Sequence, residues 1–218
     1  MIRRDMAVAA ACLPLAVAPS GAQSATPRFE QVFSTRGEPA RLHYIADYRS
    51  ADGVHRLEVW RDGDRRIKRA TDGVIVTVAE HRPDDAGYRM TMLDLKRRIS
   101  TRVDRTNLYR IGQFTDSFDL GHCLRHPKAA YSIKAGAAPA GAPAPVRSCR
   151  WYHLIEGVRT TRVCWDRTSR LPLILASGDG RPLWRVRAID DAGFDARTFV
   201  VNDQGFVSND ANRDIERD

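Results

Sequence analysis

Turn signals recur about every ten residues between positions 41 and 103, and this rhythm is the strongest constraint on the fold. The signals are residues 50–53, Asp62-Gly63, Asp72-Gly73 and residues 84–87. Asp-Gly pairs favour tight hairpin turns because both central residues of such a turn need φ > 0. Between turns, apolar residues such as Leu42 and Tyr44 alternate with polar ones, as in a strand with one buried face. The segment therefore predicts a meander of short antiparallel strands.

The alternation returns after residue 145, and the whole chain predicts about ten or eleven antiparallel strands with two short helices. We expect strands near 42–48, 54–61, 65–70, 74–81, 88–93, 97–103, 149–155, 158–165, 171–176, 182–189 and 197–202. The helices are expected within 26–37 and 116–125, where apolar residues share a face and Pro127 stops the second. Residues 74–79 are apolar on both faces, so both sides of the sheet should be covered.

Residues 1–22 have the features of a secretory signal peptide, with a basic start, an apolar stretch and small residues before Gln23. We expect a cleaved chain exported to a bacterial periplasm, without a membrane span. Lipidation at Cys12 is an open alternative, although the apolar stretch before it is short. We expect one domain over 23–207, a flexible Ala/Gly/Pro loop at 135–147 and a disordered tail at 208–218.

The chain is basic, with a formal net charge of +8. A basic surface attracts anionic partners such as lipid head groups, although it is also compatible with an ordinary solvated surface. Nucleic acid is a poor partner for an exported protein, and no RNA-binding or zinc-finger signature is present in the sequence. We therefore expect no nucleic-acid partner.

The cysteines of the exported part are Cys123, Cys149 and Cys164. A two-residue turn at 156–157 would place Cys149 directly opposite Cys164, close enough for a disulfide in an oxidising compartment. A link from Cys123 to Cys149 is the alternative. We predict the Cys149–Cys164 disulfide, with Cys123 left as a free thiol.

No pattern of catalytic or metal-binding residues is complete in this sequence. His122 and His126 are spaced to share a helix face, but no second cluster supplies further metal ligands. Nucleophile elbows, phosphate loops and zinc-protease motifs are missing, and the acidic residues fall mainly in turns. We therefore expect no catalytic residue, metal or cofactor; a hydrolase of unknown type remains an alternative.

Large apolar side chains on the predicted strands give the candidate binding site. Burial in the core explains any one of them, yet several together could line a hydrophobic groove on a curved sheet. Methionine suits a variable apolar ligand such as an acyl chain because its side chain is adaptable. The predicted groove residues are Tyr44, Tyr48, Trp60, Met90, Met92 and Trp184.

The order of these features resembles the periplasmic lipoprotein-carrier superfamily, which includes carriers, outer-membrane receptors and envelope-stress regulators. The resemblance is carried by a meander, a short helix ending at residues 124–127, then Asp166, Leu171-Pro172-Leu173 and Asp179-Gly180, Trp184 and a late Phe199. It implies a mainly β fold with minor α, an unclosed antiparallel barrel with helices on its concave side. It also implies binding of acyl chains there.

Together these features predict a non-enzymatic periplasmic binding or carrier protein, whose partner is a lipid or an acylated protein. The alternative is an envelope-stress sensor or scaffold that binds another envelope protein through its groove or sheet edge.

Overall fold

The computed structural model describes residues 27–81, 88–104 and 117–211. Within these ranges the chain forms twelve strands in one sheet and two short α-helices. The strands are β1 Arg41–Arg49, β2 Val54–Asp62, β3 Arg66–Thr71, β4 Ile75–His81, β5 Tyr88–Asp94, β6 Ile99–Asp104, β7 Tyr131–Ala135, β8 Arg150–Glu156, β9 Arg159–Asp166, β10 Leu171–Ser177, β11 Pro182–Asp190 and β12 Val207–Asp210. The helices are α1 Phe29–Val32 and α2 Ser117–His122, and Ala196–Phe199 forms a 3-10 helix.

The strands lie in the order β12-β6-β5-β4-β3-β2-β1-β11-β10-β9-β8-β7. All neighbours are antiparallel except β12 and β6. The end strands β12 and β7 are not neighbours, so the sheet is unclosed. The predicted fold class, mainly β with minor α and an unclosed sheet, is confirmed.

Turn chemistry explains the meander. Asp72 and Gly73 both have positive φ, at 51° and 67°, which a tight hairpin turn between twisted strands requires. The turn joins β3 to β4, whose residues pair in register from Thr71 and Ile75 onwards. The sequence therefore fixes both the position of this turn and which side chains share a face.

One face of the sheet, here called the helix face, carries both helices. It includes Leu42, Tyr44 and Ala46 of β1, and strand pairing places Val59 opposite Tyr44 on the same face. The His122 ring of α2 contacts Arg61 of β2 and also lies 6.3 Å from the Trp165 ring of β9. In a flat sheet β2 and β9 would be about 19 Å apart, four strand spacings. The sheet must therefore curve around α2.

The opposite face is covered by two irregular segments. Near β3, Lys68 donates to the Thr198 carbonyl at 2.9 Å, and the Arg66 guanidinium lies 4.6 Å from the centre of the Phe199 ring. Near β11, Arg185 donates to the Ala144 carbonyl at 3.3 Å, within the Ala/Gly/Pro loop. The opposite face is thus covered near β3 and near β11.

Some elements differ from the sequence prediction. Residues 197–202 were expected to form a strand, but Asp195 caps a 3-10 helix at Ala196–Phe199 by accepting from the Arg197 backbone N–H. The disordered tail was expected from residue 208, yet Val207–Asp210 pairs with β6 as a parallel strand. β7 was not predicted at all. The predicted signal peptide, residues 1–22, and residues 212–218 lie outside the described residues.

The β8–β9 hairpin carries the predicted disulfide, Cys149–Cys164, with Cα atoms 5.4 Å apart. The pairing is confirmed, but the predicted register is wrong. Glu156 pairs with Arg159, so the turn residues are Gly157 and Val158 rather than residues 156–157. Gly157 takes φ 56°, which favours glycine at this place in the turn. Cys164 is thus opposite Trp151, and Cys149 reaches it diagonally from just before β8.

Candidate functional site

A cleft of about 440 Å³ lies between the segment that follows α1, the β2–β3 turn and α2. Small-molecule sites in proteins usually occupy about 300–1,000 Å³, so a ligand of modest size would fit. The lining residues are Glu30, Phe33, Ser34, Thr35, Arg36, Glu38, Arg61, Gly63, Asp64, Phe118, His122 and His126. Most of them are charged or polar residues, and two are phenylalanines.

Aromatic contacts hold the two helices in place beside the cleft. Phe33 packs edge-on against Trp165 at 5.3 Å between ring centres, and Phe29 packs against Phe118 at 5.6 Å. Phe118 also stacks on the His122 ring at 4.2 Å. With four and six residues, α1 and α2 are too short to be stable on their own. Their position therefore depends on this packing.

Arg61 forms the floor of the cleft and is only 1% exposed. The alternation of β2 explains its position, because Leu57, Val59 and Arg61 all point to the helix face. Gly121 of α2 lets the helix approach, since a Cβ there would lie 3.3 Å from Arg61 Cδ. A charged side chain is thus buried beside the apolar residues Val59 and Ile67 of this face.

His122 is the main hydrogen-bond partner of Arg61, with Nη1 and Nε2 2.6 Å apart. The other ring nitrogen, Nδ1, lies 2.9 Å from the Phe118 carbonyl, which can only accept. Nδ1 therefore carries the proton, and Nε2 accepts from Arg61. Burial lowers the pKa of His122, and the nearby Arg61 charge adds to this effect against the opposing influence of Glu38. A neutral imidazole fits both observations.

Glu38 completes the cluster. Its Oε2 lies 3.4 Å from Arg61 Nη2 and 3.2 Å from His122 Nε2. Burial alone would raise the pKa of Glu38, but the positive charges of Arg61 and Arg170 oppose burial, and the pKa is lowered. A hydrogen bond from His122 to Glu38 would require a proton on Nε2 in addition to the one on Nδ1. That Nε2–H would then point towards the Arg61 N–H groups, which are also donors. The shorter Arg61 contact favours the neutral ring and an ionised Glu38.

The Arg61 guanidinium is only partly satisfied. Among the described residues, its Nε and Nη2 atoms are buried and have no hydrogen-bond partner, since the Glu38 contact lacks hydrogen-bond geometry. Most buried N–H groups in proteins are paired, so this exception is informative.

His126 stands apart from this cluster at the rim. Its Nε2 lies 3.3 Å from Glu30 Oε1, and its ring lies 4.3 Å from the Phe29 ring. Both rings pack against Phe118, but His122 lies beside Glu38 and His126 lies beside Glu30. Within the described ranges, no group of three or more His, Cys, Asp or Glu residues is placed to hold a metal ion.

Tyr44 lies in the core beneath α2. It is fully buried, and its hydroxyl donates to the Gly121 carbonyl at 3.0 Å. Burial raises the pKa of Tyr44 well above its usual range, and the neighbouring Cys123 thiol adds to the rise. Tyr44 remains a neutral hydrogen-bond donor that holds α2 on β1.

The six predicted groove residues do not line the cleft. Tyr44, Tyr48 and Trp184 are neighbours on the helix face, with Tyr48 paired to Trp184 and the rings of Tyr44 and Trp184 6.1 Å apart. Tyr44 and Trp184 are buried in the core, and the Trp184 N–H donates to the Pro172 carbonyl.

The other three are further away. Met90 and Met92 lie on the helix face of β5, where Met90 is buried and Met92 is 38% exposed. Trp60 differs from the prediction, because it pairs with His43 on the opposite face and stacks on its ring at 4.9 Å. The sheet therefore separates Trp60 from any groove on the helix face.

No family model and no curated protein match this chain. Among solved structures, the chain is similar to one described as the crystal structure of MucB, with 12% identity and a TM-score of 0.40. The match covers 81% of this chain and 62% of that chain, which is less than two thirds of its length. A similarity at this TM-score carries no argument about function. The resemblance to the lipoprotein-carrier superfamily stays a prediction from the sequence.

Proposed function

We propose that the chain is a non-enzymatic binding protein of the bacterial periplasm, and that the cleft beside α2 holds part of a lipid-like ligand. The cleft is the observation that carries this proposal, because it combines an aromatic wall with a charged floor. Phe118 is partly exposed and offers apolar surface, and Arg36 and the buried Arg61 supply positive charge. An amphiphile with a polar end and an acyl chain matches both kinds of surface.

One further observation supports this proposal. The Cys149–Cys164 disulfide suits an oxidising compartment, in agreement with the predicted signal peptide. In the part of the chain that the structure describes, no helix is long and apolar enough to cross a membrane.

The apolar residues predicted from the sequence have different roles in this proposal. Tyr44 and Trp184 support the wall from the core and would not touch the ligand, since they are almost fully buried. Met92 is the most exposed of the predicted residues on the helix face, so we propose it as a contact for a long acyl chain.

The test is native mass spectrometry of the chain purified from a bacterial envelope. A Thr35→Trp variant would fill the cleft from its exposed mouth without altering the core. Val158→Trp adds the same indole at the fully exposed β8–β9 turn and serves as the matched control. We expect a lipid-like adduct on the wild type and on the control, and its loss from Thr35→Trp.

Two results would contradict the proposal. An adduct that persists in Thr35→Trp would place the ligand elsewhere, and a wild type that carries no lipid-like molecule would contradict lipid binding.

A second candidate function, a scaffold or sensor for another envelope protein, is favoured by β7, since no other described strand pairs with its outer edge. Such an edge can accept an added strand from a partner. A co-purified protein with an empty cleft would support this second function.

A further inference from the structure

The unpaired N–H groups of Arg61 lie on one edge of its guanidinium. Nη1 is engaged with His122, and the atoms without a hydrogen-bond partner are Nε and Nη2. These two N–H groups point in parallel and form the side of the guanidinium that binds two oxygens of a carboxylate or phosphate at once. The pattern of unpaired atoms therefore matches one bidentate anion.

α2 covers the other edge of the same group. A Cβ on Gly121 would lie 3.3 Å from Arg61 Cδ and 3.8 Å from Nη1. Cδ and Nη1 lie on the edge opposite to the Nε–Nη2 edge. The helix thus packs against one side of the guanidinium and fixes its plane, while the side chain as a whole lines the cleft. A preorganised guanidinium of this kind loses little freedom when it binds an anion.

We propose that the Nε–Nη2 edge of Arg61, which is buried in this structure, becomes an anion site for a carboxylate or phosphate group of the ligand when that group displaces Glu38 from it. The inference rests on the proposed function for the cleft as the binding place, and it adds the chemistry of the ligand's polar end. Arg36 at the cleft wall adds positive charge, whereas Glu30 and Asp64 oppose it.

Glu38 competes with the ligand in this site. Its Oε2 lies 3.4 Å from Nη2, near enough for an ion pair but without hydrogen-bond geometry. Glu38 therefore neutralises Arg61 in part without satisfying its N–H groups. A ligand anion with good geometry would form the stronger interaction, because charge-assisted bidentate bonds surpass a single long contact. Removing the Glu38 charge should then strengthen anion binding.

The test measures binding of four probes to the full chain by calorimetry: dodecanoate, dodecyl phosphate, dodecanol and inorganic phosphate. Glu38→Gln should bind dodecanoate about tenfold more tightly than the wild type, because it removes the carboxylate charge that competes with the ligand anion for Arg61. This gain cannot result from misfolding. Glu58→Gln makes the same charge change on the opposite face and should leave the affinity unchanged. Arg61→Lys keeps the positive charge but lacks the two parallel N–H donors, and it should bind dodecanoate at least about tenfold more weakly.

The outcomes separate this inference from the proposed function. Equal affinity for dodecanol and dodecanoate, with no gain in Glu38→Gln, would overturn the anion site and leave lipid binding intact. If inorganic phosphate binds but dodecanoate, dodecyl phosphate and dodecanol do not, the result would support the anion site and contradict a lipid-like ligand. Binding of none of the four probes would overturn both. An equal gain in Glu58→Gln would show that general electrostatics is responsible, and would also overturn the site.

Discussion

The Cys149–Cys164 disulfide should contribute measurably to stability, and the structure allows its size to be worked out. The two residues are separated by 15 positions in sequence and link the ends of the β8–β9 hairpin. Closing a loop of about 15 residues removes conformational entropy from the unfolded chain worth about 3 kcal/mol at 25 °C. The hairpin keeps its own register through backbone pairing from Arg150 to Glu156, so the native geometry does not need the link.

The perturbation is the double variant Cys149→Ala with Cys164→Ala. Cys164 is fully buried, so loss of its sulfur leaves a small cavity that adds to the cost. Reduction of the wild type breaks the link without removing a heavy atom, and therefore separates the two effects. Cys123→Ala, which removes a thiol but no crosslink, is the control.

Urea unfolding should show a free energy of unfolding lower by about 3 kcal/mol in the reduced wild type, with a melting temperature lower by about 6–12 °C for a domain of this size. Cys123→Ala should change the free energy by less than about 1 kcal/mol. A loss below about 1 kcal/mol on reduction would refute the entropic reasoning. Three reactive thiols in the oxidised, unfolded chain from residue 23 onwards would refute the link itself.

Two further variants test the contacts around α2. Tyr44→Phe removes the buried hydrogen bond to the Gly121 carbonyl and should lower the free energy of unfolding by about 1–2 kcal/mol in urea, whereas Tyr48→Phe on the same strand should change it by less than about 0.5 kcal/mol. His122→Gln should flatten the fall in stability as pH drops below the ordinary histidine pKa of 6.5, because the pKa of His122 is lowered in the folded state and the unfolded chain takes up the proton first. If His122 were not responsible, chemical unfolding between pH 7.5 and 5 would show the free energy of unfolding falling equally in the wild type and in His122→Gln.

Ten of the twelve strands, all except β7 and β12, could be predicted from the sequence because local signals determine them. The Asp72-Gly73 turn and the alternation in β1 and β2 fix both register and face. β12 could not be predicted, since its mostly polar residues Val207–Asp210 form a strand only through pairing with β6, more than a hundred residues earlier. Residues 197–202 have strand-forming side chains, yet the capping of the 3-10 helix by Asp195 prevails there.

The site could be predicted only in part. The alternation of Leu57, Val59 and Arg61 places a charged residue on the buried face, and such a position is a signal of function that the sequence already contains. Its partners Glu38 and His122 come from segments far apart in the chain. Their meeting depends on the curvature of the sheet around α2, which no local pattern reveals.

The apolar and the charged residues of the helix face carry different information about ligand binding. Packing alone accounts for the apolar ones, because the two short helices are stable only while Phe29, Phe33 and Phe118 lie against the core. Packing does not account for Arg61, whose burial is costly unless a partner satisfies its N–H groups. Since the same helices form the wall of the cleft, a ligand bound at Arg61 would stabilise the packing of α1 and α2. Loosening of that aromatic packing would weaken ligand binding by the same free energy.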